Sequence, residues 1–230
     1  MKYAVVTGST SGIGYAVAKA LISEGYFVFL NGRKAFSPDL PGESYMFVKA
    51  DVSVPQGVDT LAEAVLSRTD CIESLVLNAG ATCRKSMADI SYDDWQKVMD
   101  TNVNMPFLLV QRLMPNICRG GNILFIGSAM GVKPHSSSLP YGVSKAAVIS
   151  LAQNLVKEMP EIRINCICPG FVDTDWQLQK PDWLKKKISS KIALKRFASP
   201  DEIADMCIKI ISNTYMNGAV VNVDGGYDME

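Results

Sequence analysis

Short apolar segments alternate with longer amphipathic segments along the chain, and this alternation is the feature that most constrains its fold. Seven short runs rich in Val, Ile and Leu predict strands, at residues 3–7, 27–30, 45–49, 74–77, 122–126, 163–167 and 219–223. Strands with such continuous apolar content are usually covered on both faces by helices, as in parallel sheets. The order of elements therefore predicts a doubly wound α/β fold of the Rossmann type with a seven-stranded parallel sheet.

Between the strands, five segments carry apolar residues at helical spacing. These predict helices at residues 13–24, 55–67, 94–118, 141–159 and 200–212. Glycines and prolines interrupt the stretch between the second and third strands, at Gly32, Pro38, Pro41 and Gly42. The second crossover helix is therefore expected to be short or absent. Because no linker-like stretch interrupts the 230 residues, residues 1–230 are predicted to form one domain.

The composition argues against several functional classes. Hydrophobic residues make up 48% and charged residues 20%, which suits a globular chain with a large core. Basic and acidic residues balance at 23 each, so no net charge favours nucleic acid or an anionic membrane. The lysine run at 185–187 is interpreted as a solvated helix face. With no apolar leader and no run long enough to span a bilayer, a cytoplasmic location is expected.

Six cysteines are scattered along the sequence without a Cys-x-x-Cys motif. They are interpreted as buried small hydrophobic residues: Cys71, Cys83, Cys118, Cys166, Cys168 and Cys207. Cys166 and Cys168 share one face of a predicted strand, as a metal or redox pair would. The chain has one histidine and no second pair of ligands, so no metal site is predicted.

A glycine-rich turn joins the first predicted strand to the first predicted helix. Its glycines let the backbone turn tightly and approach a pyrophosphate, whose charge the free N–H groups and the helix dipole would hold. The candidate cofactor contacts in this turn are Gly8, Ser9, Thr10, Ser11, Gly12, Ile13 and Gly14. The strand, turn and helix occur in the order that a dinucleotide site needs, and the alternative is a merely tight turn.

The end of the second strand bears on which dinucleotide binds. Enzymes that prefer NAD commonly place Asp or Glu about 20 residues past the glycines, where it binds the ribose hydroxyls. Residues 30–34 contain no carboxylate, whereas Arg33 can clamp a 2′-phosphate and Lys34 can supply a point charge. NADP(H) is therefore the predicted cofactor and NAD(H) a possible one. The alternative is that Arg33 only solvates a loop and that ribose selectivity is weak.

Only one of three Tyr-x-x-x-Lys pairs lies where an active site is expected. The pairs are Tyr15 with Lys19, Tyr45 with Lys49, and Tyr141 with Lys145. Four positions span about 13 Å in a strand, so the second pair cannot touch. The first pair has no serine positioned upstream to polarise a substrate oxygen and is interpreted as helix surface. The third pair opens a helix after a loop that follows a strand, a junction where active sites gather.

Ser128 ends an apolar strand thirteen residues before Tyr141. It is the candidate donor of a hydrogen bond to substrate. The alternatives are that it only caps the strand, or that one of the serines at 136–138 takes this role. His135 lies in the same loop and is interpreted as solvated, with a position facing substrate as the other possibility.

With these motifs assembled, the chain resembles the short-chain dehydrogenase/reductase family, in its compact one-domain branch, over nearly its whole length. Beyond the glycine turn and the Ser128, Tyr141 and Lys145 set, the matching motifs are Asp51-Val52, Asn78-Ala79-Gly80, Asn102, Pro169-Gly170 with Thr174, and Val223-Asp224-Gly225-Gly226. Two positions depart from the family pattern: Leu77 stands where many relatives have a second Asn, and Met105-Pro106 replaces a small residue.

The resemblance implies roles for these residues. Asp51 and Val52 would flank the adenine, and the Asn78-Ala79-Gly80 stretch would support the cofactor and the central sheet. Asn102 would hold a water that links Lys145 to solvent. The residues around the nicotinamide end of the cofactor would be Pro169, Gly170, Val172 and Thr174. Relatives commonly assemble, which implies a homo-oligomer here, either a homotetramer or a dimer.

A mechanism for carbonyl reduction follows from the side chains. The ordinary pKa of a tyrosine is about 10, but an ammonium about 4 Å away would lower it by about three units before burial opposes the shift. Lys145, one helical turn from Tyr141, is predicted to do this and to hold the nicotinamide ribose. Hydride from NADPH would reach the carbonyl carbon while Tyr141 protonates the oxygen and Ser128 donates a hydrogen bond to it.

The sequence therefore predicts an oxidoreductase acting on a carbonyl or secondary alcohol, such as a ketone, 3-oxoacyl, steroid-like or sugar compound. The alternatives are NAD(P)-linked oxidation of an alcohol or polyol, and a catalytically idle module that senses the cofactor. Substrate is expected between the loop after Ser128 and the segment 171–192. The aromatic and basic residues of that segment, with Trp176 and Trp183, suit an apolar carbonyl compound, optionally with an anionic tail. The alternatives are that they pack as a lid or form an oligomer contact.

Overall fold

The strands lie close to their predicted positions. A computed structural model describes residues 1–134, 138–178 and 180–227. Its strands are β1 Lys2–Val6, β2 Tyr26–Gly32, β3 Tyr45–Lys49, β4 Ile72–Leu77, β5 Ile117–Ile126, β6 Arg163–Pro169 and β7 Val220–Val223. All pair in parallel, in the order β3-β2-β1-β4-β5-β6-β7. The predicted doubly wound fold with a seven-stranded parallel sheet is confirmed.

Eight α-helices lie within the described residues. They are α1 Gly12–Ser23, α2 Pro55–Leu66, α3 Tyr92–Met99, α4 Met105–Leu113, α5 Ala129–Val132, α6 Leu139–Glu158, α7 Asp182–Lys191 and α8 Pro200–Ser212. Between β2 and β3 there is only a 3₁₀ turn, Gly42–Ser44, so the second crossover helix is absent as predicted. In the described chain, no helix is long and apolar enough to cross a bilayer.

The prediction of one long helix at 94–118 is wrong. The structure has α3 and α4 with a π-helical segment, Asp100–Asn104, between them. Met105 N–H donates to the carbonyl of Asp100, five residues earlier, and Pro106 has no N–H with which to restore α-helical bonding. After a short 3₁₀ turn at Met114–Asn116, the chain enters β5, so residues 117 and 118 belong to a strand.

Both faces of the sheet are buried because successive residues of a strand point to opposite sides. Phe29 and Phe125 lie in the apolar cluster that includes residues of α2, α4 and α6. Their neighbours Leu30 and Leu124 lie in a second cluster, with residues of α1 and α8. The continuous apolar runs of the sequence thus contribute to two hydrophobic cores, one on each face of the sheet. The helices on each face hold the sheet rigid below its carboxyl edge.

The interpretation of all six cysteines as buried hydrophobic residues is wrong for three of them. Cys71 is exposed, Cys83 and Cys118 are half-buried, and a disulfide joins Cys71 to Cys118. The parallel register places the start of β4 beside the start of β5, which brings together two residues 47 positions apart. Cys166, Cys168 and Cys207 are buried as expected, and the Cys166 and Cys168 sulfur atoms are 3.9 Å apart.

Candidate active site

A cavity of about 880 Å³ opens at the carboxyl edge of the sheet. It is lined by the turns that follow β1, β2, β3, β4, β5 and β6, together with residues of α6 and α7. Because the sheet is parallel, all of these turns meet at one edge, which is where ligands bind in open α/β sheets. The motifs that are dispersed along the sequence therefore converge on one concave surface.

The glycine turn supplies one part of this wall with bare backbone. Gly8 and Gly12 have φ values of 61° and 55°, in the left-handed region that favours glycine. A Cβ on Gly14 would lie 2.4 Å from both the Asn78 Nδ2 atom and the Gly8 carbonyl oxygen. The turn therefore leaves no room for a side chain there, and its N–H groups at the start of α1 remain accessible from the cavity.

Two of the candidate contacts in this turn lie behind the cavity wall. The wall is lined by Gly8, Thr10, Ser11, Gly12 and Ile13, but not by Ser9 or Gly14. Ser9 is fully buried, and its hydroxyl donates to the Val6 carbonyl at 2.8 Å and accepts from the Asn31 N–H at 2.8 Å. Ser9 and Gly14 thus shape the turn from behind, with no surface to offer a ligand.

Asn31, at the end of β2, holds the carboxyl ends of β1, β2 and β3 together, and sequence reasoning missed it. Its side-chain oxygen accepts from the Gly8 N–H at 3.3 Å, and its side-chain amide donates to the carbonyls of Val48 and Ala50 at 3.3 and 3.0 Å. The signal in the sequence that could have identified Asn31 was an asparagine directly before a glycine at the end of a strand. By holding this strand end, Asn31 sets the position of the next residue, Gly32, on the cavity wall.

The chain next to Asn31 shapes the part of the cavity assigned to the ribose. Arg33 is exposed on the cavity wall. A Cβ on Gly32 would lie 2.4 Å from the Thr10 methyl group, so a carboxylate side chain does not fit there. Asp51 and Val52 also line the wall, and the Asp51 carboxylate accepts from the N–H and hydroxyl of Ser53 at 3.1 and 2.7 Å.

The Asn78-Ala79-Gly80 stretch follows β4, lines the cavity and braces the glycine turn. The Asn78 side chain donates to the carbonyls of Thr7 and Gly8, each at 3.0 Å. The Thr7 hydroxyl in turn accepts from the N–H groups of Asn78 and Ala79 at 2.9 and 3.0 Å. These bonds across two neighbouring strand ends make this wall of the cavity rigid.

Asn102 lies in the π-helical segment and is buried behind the cavity. Its oxygen accepts from the Ala81 N–H at 2.7 Å, while its amide donates to the Ala81 carbonyl at 2.9 Å and to the Ser144 hydroxyl at 2.8 Å. The Ser144 hydroxyl donates to the Tyr141 carbonyl at 2.8 Å. Asn102 therefore couples the chain after β4 to the first turn of α6.

Tyr141, Lys145 and Ser128 meet on the cavity wall. The first two lie one turn apart on α6, and the Ser128 side chain hydrogen bonds with Tyr141. Ser128 also caps α5, where its hydroxyl accepts from the Met130 N–H at 3.2 Å. Lys145 is buried, its Nζ atom donates to the Ile126 carbonyl at 2.6 Å, and it lies 5.7 Å from the centre of the Tyr141 ring.

The pKa values of this pair differ from expectation. Burial raises the pKa of Tyr141 to about 12, against the opposing effect of its hydrogen bond with Ser128. Burial also lowers the pKa of Lys145 to about 8. The prediction that Lys145 brings the Tyr141 pKa down is therefore wrong for this arrangement. Removal from water disfavours both the phenolate and the ammonium, and it is the largest cause of each shift.

The other two Tyr-x-x-x-Lys pairs lie away from the cavity. Tyr45 and Lys49 are in β3, and Tyr15 and Lys19 are on α1 with the Lys19 Nζ atom 5.5 Å from the centre of the Tyr15 ring. None of these four residues lines the cavity wall as described. His135, Ser136 and Ser137 lie outside the described residues, so their predicted roles stay predictions. Ser138 lines the cavity and donates to the Cys83 carbonyl.

The chain after β6 completes the wall beside Tyr141. The cavity lining includes all four residues assigned to the nicotinamide end, Pro169, Gly170, Val172 and Thr174. A Cβ on Gly170 would lie 2.8 Å from the Asp224 Cα atom, so glycine is needed where the Val223-Asp224-Gly225-Gly226 motif passes. This contact explains why the last motif of the sequence belongs to the site although it does not line it.

Beyond Tyr141 the wall consists of residues of the expected substrate segment, 171–192, together with Arg84, which the sequence did not identify. The Trp176 ring packs edge-on against the Tyr141 ring, with centres 5.9 Å apart. Arg84 donates to the Trp176 carbonyl at 3.3 Å, and Lys180 and Leu184 line the same cavity. Leu184 belongs to α7, which was not among the predicted helices, although the lysine run within it was interpreted as a helix face. Trp183 is 65% exposed and lies outside the cavity.

Known proteins are similar to this chain in sequence and in fold. A family model described as short chain dehydrogenase matches residues 2–185. The chain is 31% identical to the 3-oxoacyl-(acyl-carrier-protein) reductase FabG of Aquifex aeolicus, over 98% of this chain and 96% of that protein. It is 33% identical to the protein of the same name from Chlamydia muridarum, with the same coverage of 98% and 96%.

Among solved structures, the L-sorbose reductase of Gluconobacter frateurii complexed with NADPH and L-sorbose is similar with a TM-score of 0.89 and 30% identity, covering 98% of this chain and 96% of that one. A short chain dehydrogenase family protein from Francisella tularensis has a TM-score of 0.91 and 28% identity over the whole of both chains. Fold and relatives together define an NAD(P)-dependent dehydrogenase or reductase. The chain belongs to the short-chain dehydrogenase family, which confirms the resemblance of its motifs.

Proposed function

We propose that this protein is a carbonyl reductase that uses NADP(H). The observation that carries the proposal is that Ser128, Tyr141 and Lys145 meet on the wall of the same cavity that the glycine turn lines. An acid, a hydrogen-bond donor and a buried cation thus lie beside a surface suited to a dinucleotide. The substrate is a ketone, 3-oxoacyl, steroid-like or sugar carbonyl compound.

The turn after β1 fits the pyrophosphate of a nicotinamide dinucleotide. Its left-handed glycines and the lack of space at Gly14 leave backbone N–H groups and the positive end of the α1 dipole facing the cavity. Asp51 and Val52 would hold the adenine, and the four lining residues after β6 would hold the nicotinamide. When bound, the cofactor would supply hydride to the carbonyl carbon of the substrate.

The preference for NADP(H) rests on the end of β2. Arg33 lies on the cavity wall and can form a bidentate contact with a 2′-phosphate. Residues 30–34 contain no carboxylate to bind the ribose hydroxyls of NAD. Selectivity would therefore arise from the presence of a cation and the lack of a carboxylate at this strand end. NAD(H) would bind more weakly, because it lacks the phosphate.

Tyr141, Ser128 and Lys145 would each have a separate role in the reaction. Tyr141, with its raised pKa, is protonated at neutral pH and can donate its proton as the carbonyl oxygen gains negative charge. Ser128 can donate a second hydrogen bond to that oxygen. Lys145 is held by the Ile126 carbonyl, where its charge would stabilise the phenolate left after proton transfer. Asn102 would position the first turn of α6 and support the water that resupplies the proton.

The direct test is NADPH consumption with a panel of ketones, 3-oxoacyl thioesters, steroids and sugars, with NADP⁺ and the matching alcohols measured in parallel. We expect turnover of at least one carbonyl compound at neutral pH, where Tyr141 carries the proton that reduction consumes. Faster oxidation than reduction at pH 7 would favour the alcohol dehydrogenase alternative. Tight NADPH binding without turnover in either direction would favour the cofactor-sensing module.

A homo-oligomer and a cytoplasmic location remain part of the proposal. Exposed apolar side chains on α4 and α6, such as Phe107 and Val143, offer surface for contact between copies of the chain. Sedimentation over a range of protein concentrations tests the assembly. A monomer that keeps full activity at every concentration would contradict it.

A further inference from the structure

Two cations face the cavity beyond Tyr141, and the chemistry proposed above uses neither of them. Arg84 follows the Asn78-Ala79-Gly80 stretch, and Lys180 precedes α7; both line the cavity wall. Arg84 donates to the carbonyl of Trp176, whose ring contacts Tyr141. Arg84 is thus joined to the tryptophan that contacts Tyr141, and Lys180 lines the same cavity.

The surroundings of Lys180 do not neutralise it. Its Nζ atom donates to the side-chain oxygen of Gln177 at 2.5 Å, which is a neutral partner. Among the described residues, no carboxylate forms an ion pair with Lys180 or Arg84, although Asp175 lines the same cavity. Lys85, the residue after Arg84, by contrast pairs with Asp94 at 2.6 Å.

Like charges also crowd this position. The pKa of Lys180 is lowered to about 8 by burial and by the neighbouring charges of Arg84 and Lys185. Holding several cations together in a partly buried site costs free energy, and a bound anion would recover it. Clustered cations in a cleft with perturbed pKa values are a feature of functional sites.

We propose that Arg84 and Lys180 form an anion site that selects carbonyl substrates carrying a carboxylate or phosphate at the end remote from the reacting carbonyl. The proposal rests on the reductase function and specifies its substrate class. The carbonyl would lie at Ser128 and Tyr141, the middle of the substrate along Trp176, and the anionic end between the two cations. Charge-assisted hydrogen bonds from guanidinium and ammonium would give this end its affinity.

The test compares pairs of related ketones in which one member carries an anionic group and the other is neutral. We would use 6-oxoheptanoate and its methyl ester for the carboxylate, and dihydroxyacetone phosphate and dihydroxyacetone for the phosphate. Binding to the NADPH-saturated protein is measured by calorimetry, and kcat/KM by NADPH consumption. We expect at least one anionic member to bind about tenfold or more tightly than its neutral partner.

Two substitutions locate the preference. Lys180→Met and Arg84→Met should each reduce the ratio of anionic to neutral affinity by about tenfold, while affinity for the neutral ketone changes less than about twofold. Lys187→Met is the matched control, because Lys187 is an exposed lysine of α7 that does not line the cavity. Lys180→Arg should keep most of the preference, which separates charge from packing.

The outcomes separate this inference from the proposed function. Equal affinity for both members of both pairs, or an equal loss of preference in Lys187→Met, would overturn the anion site even if ketones are reduced. Charge-dependent binding that is lost in Lys180→Met, without turnover of any ketone, would support the anion site and count against the reductase. Preference for only one pair would identify the anion as carboxylate or phosphate.

Discussion

The two halves of the cavity are built differently. Around the glycine turn, the wall consists of backbone and short buried side chains, and Asn31 and Asn78 each make several hydrogen bonds across strand ends. Around α7, the wall consists of long side chains such as Arg84 and Lys180, held by single hydrogen bonds to neighbouring residues. Tyr141 lies where the two halves meet.

The difference follows from what each half would bind. A cofactor is the same molecule in every turnover, so the wall that binds it need not adapt. A wall that is already rigid has little conformational entropy to lose when the cofactor binds. Substrate recognition depends on a few polar groups in a pocket that can change by substitution. The glycine-turn half therefore tolerates few changes, whereas the α7 half can change without loss of the fold.

The largest effect is expected where the halves meet. Tyr141→Phe removes one hydroxyl and should reduce kcat/KM by about a thousandfold, because general acid catalysis contributes about 10² to 10⁴. NADPH binding measured by fluorescence should stay within about threefold, since both walls remain intact. Tyr15→Phe, outside the cavity, is the control and should keep wild-type rates. Retention of more than a tenth of the activity in Tyr141→Phe would assign the acid to another group.

Gly14→Ala tests the rigidity of the glycine-turn half. The added methyl group would lie 2.4 Å from the Asn78 side chain and the Gly8 carbonyl, so the turn must move. We expect NADPH affinity to fall by about a hundredfold and the free energy of unfolding to fall by about 1 to 3 kcal/mol. Gly42→Ala is the control, because nothing lies within 4 Å of its added methyl group. Equal affinities would show that this wall is adaptable.

Arg33→Gln tests selectivity within the same half. The ratio of kcat/KM for NADPH to that for NADH should fall by about ten- to hundredfold, since a charge-assisted hydrogen bond contributes about 1.5 to 3 kcal/mol. The rate with NADH should be nearly unchanged. Lys49→Gln, an exposed substitution in β3 outside the cavity, should leave the ratio as it is. An unchanged ratio in Arg33→Gln would mean that Arg33 is only solvated.

Activity should decline at alkaline pH. The pKa of Lys145 is lowered to about 8, so its ammonium is present below that pH and is lost as the pH rises above it. Tyr141, with a pKa raised to about 12, keeps its proton over this range. We expect kcat/KM for reduction to fall by up to about tenfold per pH unit above pH 8. A flat profile to pH 10 would show that Lys145 titrates higher or that its charge is not needed.

The smallest effect is expected on the outer face of α7. Trp183→Ala should change kcat/KM by less than about twofold, because this side chain is 65% exposed and outside the cavity. Leu184→Ala, one residue later on the inner face, should raise KM more than it changes kcat. A loss of more than about fivefold in Trp183→Ala would place substrate across both faces of the helix.

Regular patterns made the fold predictable. The apolar runs gave the seven strands, and only their ends differ, as at β5, which begins five residues before the predicted start. The long helix was mispredicted because apolar spacing continues through Asn102 and Pro106, while the missing N–H of the proline changes the hydrogen bonding. The helix α7 was not among the predicted helices because its composition is mainly polar. Its apolar residues Leu184 and Ile188 line the cavity.

Locally encoded features of the site could also be predicted, whereas those that depend on distant pairs could not. Tyr141 and Lys145 share a helix face by their spacing, and the glycine turn is contiguous. Arg84 meets Trp176 across 92 positions, and Asn102 meets Ser144 across 42. The direction of the Tyr141 pKa shift was mispredicted. The spacing of the sequence indicates that the Lys145 charge is near Tyr141, but it does not indicate how deeply the site is buried.

The sequence by itself determined the parallel sheet, the glycine turn and the Tyr141 and Lys145 pair, because each depends on periodicity or spacing within one element or its neighbour. The tertiary structure alone decided the disulfide between Cys71 and Cys118, the bracing by Asn31, and the joining of Arg84 and Lys180 on one wall. These features exist only once strand order and register bring separate turns to the same edge of the sheet, and burial there sets the protonation of the groups that meet.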